Sequence, residues 1–276
     1  MQLSVIILSY NSERTLTRCL TSLEHALEDI ESSEVFVVDN NSTDSSRDRL
    51  AFHIMESSAN NITYHPILFP INTGTTMSRN VAMRAAKGKY ILVIDSDAYV
   101  TAPAIHGLIS RLEENKNIGM VCPRLTYKDG RHQLSTDIFP TAKRKIERAV
   151  NLGGITRHDS PFSGDVDYAI SACWMLKREV IDAVGFFDEN IFYAPEDVDY
   201  CIRVWLAGYR IFYDTDESLT VVHDAQELSR KFKITKFHIE HIKGLLYLFK
   251  KYDCLFSLDK LRARIAVSQH YGPKKS

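Results

Sequence analysis

The stretch that decides the fold reads KYILVIDSDA and runs from Lys89 to Ala98. Its apolar part, Tyr90–Ile94, is rich in β-branched residues and is typical of a strand buried on both faces in a parallel sheet. It ends in Asp95-Ser96-Asp97, and because unpaired carboxylates are costly to bury, we expect these acids where the strand leaves the core. In open α/β sheets, ligands bind at the carboxyl ends of the strands. Two acids spaced in this way can hold a divalent metal ion and, through it, a phosphate, although the pattern also occurs in surface turns.

Strands and helices alternate outward from this run. The first predicted strand, Leu3–Leu8, precedes a helix with leucines at helical spacing, and the second, Val35–Val38, precedes another helix. This order predicts right-handed βαβ units and an α/β fold with a mainly parallel central sheet flanked by helices. The other predicted strands are Ile62–His65, Ile118–Cys122, Tyr168–Leu176, Ile211–Tyr213 and Thr220–Val222.

No internal repeat or linker divides residues 1–225, so the sequence predicts one domain there and a C-terminal helical extension over residues 226–276. The periodicity fades between Pro123 and Asp167, where a segment of this length is either a functional loop or a solvated connector. The predicted domain therefore has two halves: residues 1–122, in which strands and helices alternate regularly, and residues 123–225, in which the pattern is less regular.

The composition excludes several classes of protein. The 276 residues are 45% hydrophobic and 25% charged, as in ordinary globular proteins, and the net charge of -1 gives no sign of a nucleic-acid partner. Five scattered cysteines without a C-x-x-C pair argue against a disulfide framework or a zinc site and favour a reducing compartment. No apolar stretch approaches the roughly 20 residues of a membrane span. We therefore expect a cytoplasmic protein that is soluble or associated with a surface.

Polar clusters follow four of the predicted strands. They are Ser9-Tyr10-Asn11, Asp39-Asn40, Asp95-Ser96-Asp97 and His223-Asp224. Several such clusters on one edge of a sheet indicate a binding site. Taken alone, His223 is more typical of a hydrogen-bonded interior histidine than of a ligand.

With these motifs, the sequence resembles the family 2 glycosyltransferases of the GT-A fold. The resemblance is strongest to the bacterial branch that includes rhamnosyltransferase-like enzymes of polysaccharide assembly. The resemblance covers residues 3 to about 225. One departure is Ser171, where the family often has glycine. The segments that carry the resemblance are Ile7–Asn11, Val38–Asp44, Asn72–Gly74, Arg79-Asn80, Ile94–Asp97, Ala169–Arg178, Val184–Glu189, Glu196–Arg203, Ala207–Tyr209 and Val221–His223.

The resemblance implies that residues 1–122 bind a nucleoside-diphosphate sugar linked to UDP or dTDP. Asp39 would accept a hydrogen bond from an imide N–H of the base. Arg79 would lie near the diphosphate or the base, where a fixed cation is useful. The residues that the resemblance assigns to the donor are Ser9, Tyr10, Asn11, Asp39, Asn72, Gly74, Arg79, Asp95 and Ser96.

The resemblance also implies a metal site. Asp97 and Asp95 would supply carboxylate ligands, and His223 matches a position that often adds a nitrogen ligand. A shell of aspartate, histidine and phosphate suits Mn²⁺ or Mg²⁺, of which Mn²⁺ tolerates imidazole better.

The family reaction inverts the anomeric centre, and its base would lie in the acceptor half, residues 123–225. Asp197 matches that base, and its place at a helix start favours the ionised form. Glu196 is the alternative for the same role. Without the resemblance, the pair would be an ordinary acidic helix N-terminus. Asp199 and Arg203, four residues apart, indicate an ion pair.

Other functions are weaker matches to the sequence. An aspartyl phosphotransferase needs its Asp-x-Asp motif on the first strand, and a dinucleotide dehydrogenase needs a G-x-G-x-x-G motif that is absent. The serious alternative is a catalytically inactive relative that binds a sugar nucleotide or a partner. The presence of Asp95, Asp97, Asp197 and His223 argues against it.

The C-terminal segment Ile234–Phe256 has apolar residues at helical spacing mixed with lysines. Such a helix either rests on an anionic membrane, as expected for a lipid-linked acceptor, or packs on the domain or in a homodimer. The expected partners are thus a nucleotide-sugar donor and a glycan or lipid-linked acceptor, with contact to the inner membrane face left open.

Overall fold

The computed structural model describes residues 2–149, 162–225 and 236–273. Parts of the predicted connector, residues 150–161, and of the predicted extension, residues 226–235, lie outside these ranges. The strands are β1 (Leu3–Ser9), β2 (Ser33–Asp39), β3 (Ile62–Leu68), β4 (Tyr90–Asp95), β5 (Ala98–Tyr99), β6 (Ile118–Pro123), β7 (Leu125–Thr126), β8 (His132–Gln133), β9 (Thr136–Asp137), β10 (Gly164–Asp165), β11 (Tyr168–Ala169), β12 (Cys173–Lys177), β13 (Arg210–Asp214) and β14 (Val221–His223). The helices are α1 (Leu16–Ala26), α2 (Ser46–Glu56), α3 (Gly74–Ala85), α4 (Ala102–Glu114), α5 (Ala142–Ala149), α6 (Arg178–Val184), α7 (Glu196–Leu206), α8 (Lys236–Tyr252) and α9 (Asp259–Tyr271).

The central sheet has eight strands in the order β10-β13-β6-β12-β4-β1-β2-β3. The N-terminal part is parallel, as β1 pairs with β2 and β4, and β2 pairs with β3. In the C-terminal part, β13 is parallel to β6, whereas β12 runs antiparallel to β4 and β6. The predicted α/β class and central sheet are thus confirmed.

Register brings three of the polar clusters to one edge. Ser9 pairs with Asp39, and Leu8 pairs with Asp95, so the last residues of β1, β2 and β4 lie side by side. Parallel strands direct all their carboxyl ends to the same side, which is why clusters far apart in sequence meet here.

Helices cover both faces of the sheet because their apolar stripes match its two apolar faces. Leu16, Leu20 and Leu23 of α1 are fully buried against one face, together with α4. Helices α3, α6 and α7 cover the other face, where Trp174 is completely buried in the core. Each such large side chain contributes about 1.5–3 kcal/mol to folding.

The predicted strand Tyr168–Leu176 is wrong in its extent. The chain forms two strands, β11 and β12, and the residues between them leave the ladder. Within this break, Ile170 N donates to Ser135 O, and Ala172 O accepts from Asp95 N. The interruption leaves Ile170, Ser171 and Ala172 lining a cleft instead of filling a sheet.

A second sheet of four strands, in the order β5-β14-β7-β8, carries His223. β14 pairs antiparallel with β5, so that His223 lies opposite Ala98, the residue after Asp97. The fourth polar cluster therefore reaches the edge of the main sheet through this small sheet.

Helices α8 and α9 pack on the domain. Leu248, Phe249 and Tyr252 of α8 are buried, as are Leu261 and Ile265 of α9. The opposite face of α8 exposes Ile239, Ile242 and Leu246. Among the described residues, no helix has the length and apolar character needed to cross a membrane.

Candidate active site

Asp95, Asp97 and His223 form a compact cluster at the edge of the sheet. One possible ligand atom from each lies within 4.8 Å of the others. His223 Nε2 is 3.3 Å from Asp97 Oδ1 and 4.0 Å from Asp95 Oδ2. The two aspartate side chains are about a third and a quarter exposed, at 33% and 26%, so that the cluster is open to a ligand on one side.

The donor set of this cluster fits a divalent cation. Two carboxylates and one imidazole suit Mn²⁺ or Mg²⁺ and leave coordination positions for phosphate oxygens. The adjacent loop is held in place, since Ser96 Oγ lies 2.7 Å from Ser12 Oγ and Asp97 O accepts from Asp224 N. The structure brings together the three residues that the sequence analysis names as possible metal ligands, and their binding of a metal stays a prediction.

Burial and neighbouring charges shift the titration of Asp95 and of His223. Burial raises the pKa of Asp95, while the neighbouring Arg79 charge opposes that shift. Burial alone lowers the pKa of His223, but its hydrogen bond to Asp97 and the charges of Asp95 and Asp97 raise it overall. A bound cation reverses this balance, because it stabilises ionised carboxylates and unprotonated imidazole.

The end of β2 presents a carboxylate with one oxygen free. Asp39 Oδ1 accepts from Arg47 Nε at 2.6 Å and from Ser42 N at 3.1 Å. Its Oδ2 is buried and has no hydrogen-bond partner within the described residues, as is also true of Ser9 Oγ. Buried polar atoms are nearly always paired, so these two atoms indicate a place for ligand donors.

The loop after β1 lies beside that carboxylate. Tyr10 is 42% exposed, and Asn11 has a positive φ of 52°. Asn11 Oδ1 accepts from Thr43 N, and Asn11 N donates to Ser42 Oγ. These bonds join the loops that follow β1 and β2 into one surface.

Asn72 and Gly74 have internal partners. Asn72 Oδ1 accepts from Gly74 N at 3.0 Å and from Asn40 Nδ2 at 3.1 Å. Gly74 has a φ of 83°, and a Cβ there would lie 2.2 Å from Phe192 O. The two residues thus hold the start of α3 against the segment before α7, and their role at the donor stays a prediction.

Arg79 lies between the metal cluster and the acids of α7. Its side chain is 3% exposed; Nη2 donates to Asp95 Oδ1 at 2.7 Å and Nη1 to Glu196 Oε1 at 3.2 Å. Nη1 also donates to Ser171 Oγ at 2.7 Å. The serine that departs from the family pattern therefore anchors this guanidinium, a role that the sequence did not predict.

Glu196 and Asp197 form the first turn of α7 and line a cavity of about 260 Å³. The same cavity is lined by Asp95, Arg79 and Tyr193. Burial and the adjacent Asp197 charge raise the pKa of Glu196 to about 8. Burial also raises the pKa of Asp197, although its Oδ1 accepts from Val198 N.

The expected effect of the helix start on Asp197 is present, but it does not set the direction of the pKa shift. A helix N-terminus does stabilise a carboxylate, and the Val198 N–H acts in that direction. The loss of hydration in the cleft outweighs it. The carboxyl group of Asp197 therefore has a pKa above that of an ordinary aspartate.

Helix α8 contacts the segment that carries these acids. A Cβ at Gly244 would lie 2.2 Å from Ala194 O, so that only glycine permits this approach. Lys251 Nζ lies 2.6 Å from Asp188 Oδ2 and 2.7 Å from Asp199 Oδ1. The predicted ion pair is confirmed, since Arg203 Nε lies 2.8 Å from Asp199 Oδ2. No local motif marks Gly244 or Lys251, because their partners are about 50 residues away in sequence.

Comparison with known proteins identifies relatives of this fold and site. A family model described as glycosyl transferase family 2 matches residues 4–185. The low-salt glycan biosynthesis hexosyltransferase Agl10 of Haloferax volcanii is 22% identical over 204 residues, which are 73% of this chain and 61% of Agl10. The dTDP-rhamnosyl transferase RfbF of Shigella flexneri is 25% identical over 82% of this chain and 70% of its own.

Solved structures share the fold. S. aureus TarS 1–349 in complex with UDP-GlcNAc has a TM-score of 0.64 at 21% identity and covers 98% of this chain and 73% of its own. GalNAc-T7 with UDP, GalNAc and Mn²⁺ has a TM-score of 0.65 at 14% identity and covers 95% of this chain and 50% of its own. The fold is the GT-A fold that the sequence predicts.

The chain spans only part of several relatives. It matches 61%, 20% and 18% of the lengths of the first three curated relatives. The activities of those longer proteins are therefore not assigned to this chain.

Proposed function

The chain belongs to glycosyl transferase family 2, and from that premise we propose that it transfers a sugar, with inversion, from a nucleoside-diphosphate sugar to an acceptor hydroxyl. One observation supports this above the others: Asp95 of the metal cluster and Asp197 of α7 line the same cavity of about 260 Å³. A site for the leaving diphosphate and a site for the incoming hydroxyl thus border one cleft.

The donor is proposed to carry uracil or thymine. Asp39 Oδ2 is buried without a partner in the described part of the chain, and the imide N–H of either base would satisfy it. Relatives support both nucleotides, since TarS was solved with UDP-GlcNAc and RfbF is named a dTDP-rhamnosyl transferase. Ser9, Tyr10 and Asn11 would border the nucleotide from the β1 side.

Asp95, Asp97 and His223 would hold Mn²⁺ or Mg²⁺. The bound ion would neutralise the charge that develops on the departing nucleoside diphosphate. The protein's part is to fix the three ligands: β4 ends at Asp95, Asp97 O accepts from Asp224 N, and the β5–β14 pair aligns His223. Ser96 holds this loop to the β1 side through Ser12.

Asp197 would remove the proton from the acceptor hydroxyl as its oxygen attacks the anomeric carbon. A raised pKa suits a base, because proton transfer is most effective when the pKa of the base approaches the working pH. Glu196 has a pKa of about 8 and carries its proton at neutral pH, so it is the weaker candidate. Arg79 and Ser171 instead hold Glu196 through hydrogen bonds.

The acceptor is proposed to be a glycan on a lipid carrier, reached at the cytoplasmic face of a membrane. Tyr193 lines the cleft, and its ring centroid lies 5.2 Å from that of Phe237 at the start of α8. The exposed residues Ile239, Ile242 and Leu246 continue along that helix. Vesicle flotation of the wild type and of the double variant Ile242→Ser/Leu246→Ser tests this membrane contact. Both side chains are exposed, so their loss leaves the core intact, and we expect less flotation of the variant. Equal flotation of the wild type and the variant would contradict the contact.

The whole proposal is tested by screening nucleotide sugars with Mn²⁺ for release of nucleoside diphosphate. We expect metal-dependent turnover of a UDP or dTDP sugar that is lost in Asp97→Ala. Tight binding of a nucleotide sugar without any turnover, with or without acceptors, would instead identify an inactive binding protein.

A further inference from the structure

The two ring nitrogens of His223 face different groups. Nε2 lies 3.3 Å from Asp97 Oδ1, on the side of the metal cluster. Nδ1 lies 2.9 Å from Gln133 Oε1, on the side away from it. Both residues are largely buried, with 7% and 8% of their surface exposed, so water does not readily replace either partner.

Only one form of the ring can bind a cation through Nε2. That atom must offer its lone pair, so the hydrogen of the neutral imidazole must lie on Nδ1. A hydrogen on Nδ1 needs an acceptor, because an unpaired buried N–H is costly. Gln133 Oε1 is an acceptor at hydrogen-bond distance, and it favours the form of the ring that can ligate.

The small sheet fixes this contact. β14 pairs with β7, and β7 pairs with β8, so that Gln133 and His223 lie in one layer, on two strands that β7 separates. Gln133 lies opposite Leu125, and Val221 lies opposite the same leucine from the other side. The backbone therefore sets the amide of Gln133 beside the imidazole before any ligand arrives.

We propose that Gln133 is a positioning residue of the metal site, which holds His223 with its hydrogen on Nδ1 and its Nε2 lone pair toward Asp95 and Asp97. This inference rests on the proposed function, because it assumes that the cluster binds a divalent cation. It adds a residue to which neither the sequence motifs nor the relatives assign a role.

The test measures the affinity for Mn²⁺ in the presence of UDP, by the electron paramagnetic resonance signal of free Mn²⁺. Gln133→Met keeps the volume of the side chain and removes the acceptor, and we expect a loss of about 10- to 100-fold in affinity. Gln133→Glu keeps an acceptor oxygen, and we expect an affinity within about threefold of wild type or tighter. A role in packing alone would favour the opposite order, because burying a carboxylate costs more than burying a thioether.

A second comparison separates an action through His223 from a general disturbance. In the His223→Ala background, Gln133→Met should no longer weaken Mn²⁺ binding, because the ring that it positions is gone.

These experiments distinguish a failure of the role of Gln133 from a failure of the proposed function. Unchanged Mn²⁺ affinity in Gln133→Met, or the same loss with and without His223, would overturn the role of Gln133 and leave the proposed function standing. A wild-type protein that does not bind Mn²⁺ at all would overturn both.

Discussion

Two pairs of acids meet at one cleft, which Asp95 of the first pair and both members of the second pair line. Asp95 and Asp97 follow β4 at the open edge of the sheet, where His223 approaches them and solvent reaches both. Glu196 and Asp197 begin α7 and line the cleft together with Tyr193, next to the segment that α8 contacts at Ala194. Burial raises the pKa of both acids. The residue types are nearly the same, and Asp95 and Asp197 are both partly exposed and have pKa values raised by burial, so the difference lies in the neighbouring groups.

The difference teaches how one fold assigns two roles to carboxylates. Acids that share an open edge with a histidine are arranged to collect a cation. Acids that face a cleft beside a single guanidinium suit the exchange of a proton. Arg79 joins the two sites, since it donates to Asp95 and to Glu196 and lets two negative regions lie close together.

The largest effect is expected at the open edge. Asp97→Ala removes a ligand, so the metal no longer stabilises the departing diphosphate, and we expect transfer to fall at least about 10³-fold together with Mn²⁺ affinity. Asp129→Asn, in an exposed turn, is the control and should change neither. Wild-type affinity in Asp97→Ala would remove the distinction between the two pairs.

The next effect separates chemistry from binding. Asp197→Asn removes the base, and we expect kcat to fall about 10²- to 10⁴-fold while the Mn²⁺ and nucleotide affinities stay unchanged. Isothermal titration and initial rates on the same preparation measure both. If Asp197→Asn lost metal binding instead, the two pairs would form a single site.

The pH dependence sharpens the same contrast. Asp197 accepts a proton only when it is ionised, so kcat/KM should fall tenfold per pH unit as the pH drops below the pKa of Asp197. Because burial raises that pKa, the fall should begin above 3.8, the ordinary pKa of an aspartate. A rate that stays flat down to that value would contradict an acid in a dehydrated cleft acting as the base.

A smaller effect on kcat is expected from a change in α8, which packs against the segment before α7. Gly244→Ala adds a methyl group against Ala194 O, which must displace the start of α7, and we expect kcat to fall about tenfold with Mn²⁺ affinity intact. Lys250→Ala is the matched control, since its side chain is exposed on the same helix. Equal rates in the two variants would mean that α8 does not position the acids.

The smallest effect is on stability. The pKa of Glu196 is raised from 4.5 to about 8 in the folded protein, so its contribution to stability is complete below pH 4.5 and is lost as the pH rises through 8. Glu196→Gln does not titrate. Its Tm relative to wild type should therefore increase between pH 5 and pH 8.5, by about 2–4 °C for each 1 kcal/mol. A constant difference across this range would contradict the buried, protonated acid.

The residues at the carboxyl ends of β1, β2 and β4 were predictable from sequence, whereas the contacts of Gln133 and Gly244 were not. Ser9, Asp39 and Asp95 each end an apolar run, and parallel strands bring such ends together, so local patterns were enough. Gln133 and Gly244 act on partners 90 and 50 residues away, through a small sheet and a helix contact that leave no periodic signal. The resemblance to a family gave Asp197 its proposed role, but its pKa depends on hydration, which only the packed structure reveals.

The central claim is that the cation binds at one pair of acids and the proton is taken at the other. An anomalous difference map at the manganese edge, from crystals grown with UDP and Mn²⁺, tests it most directly. We predict one peak among Asp95, Asp97 and His223, shared with the diphosphate, and none at Glu196 or Asp197. A peak between Glu196 and Asp197, or no peak at the sheet edge, would contradict the account.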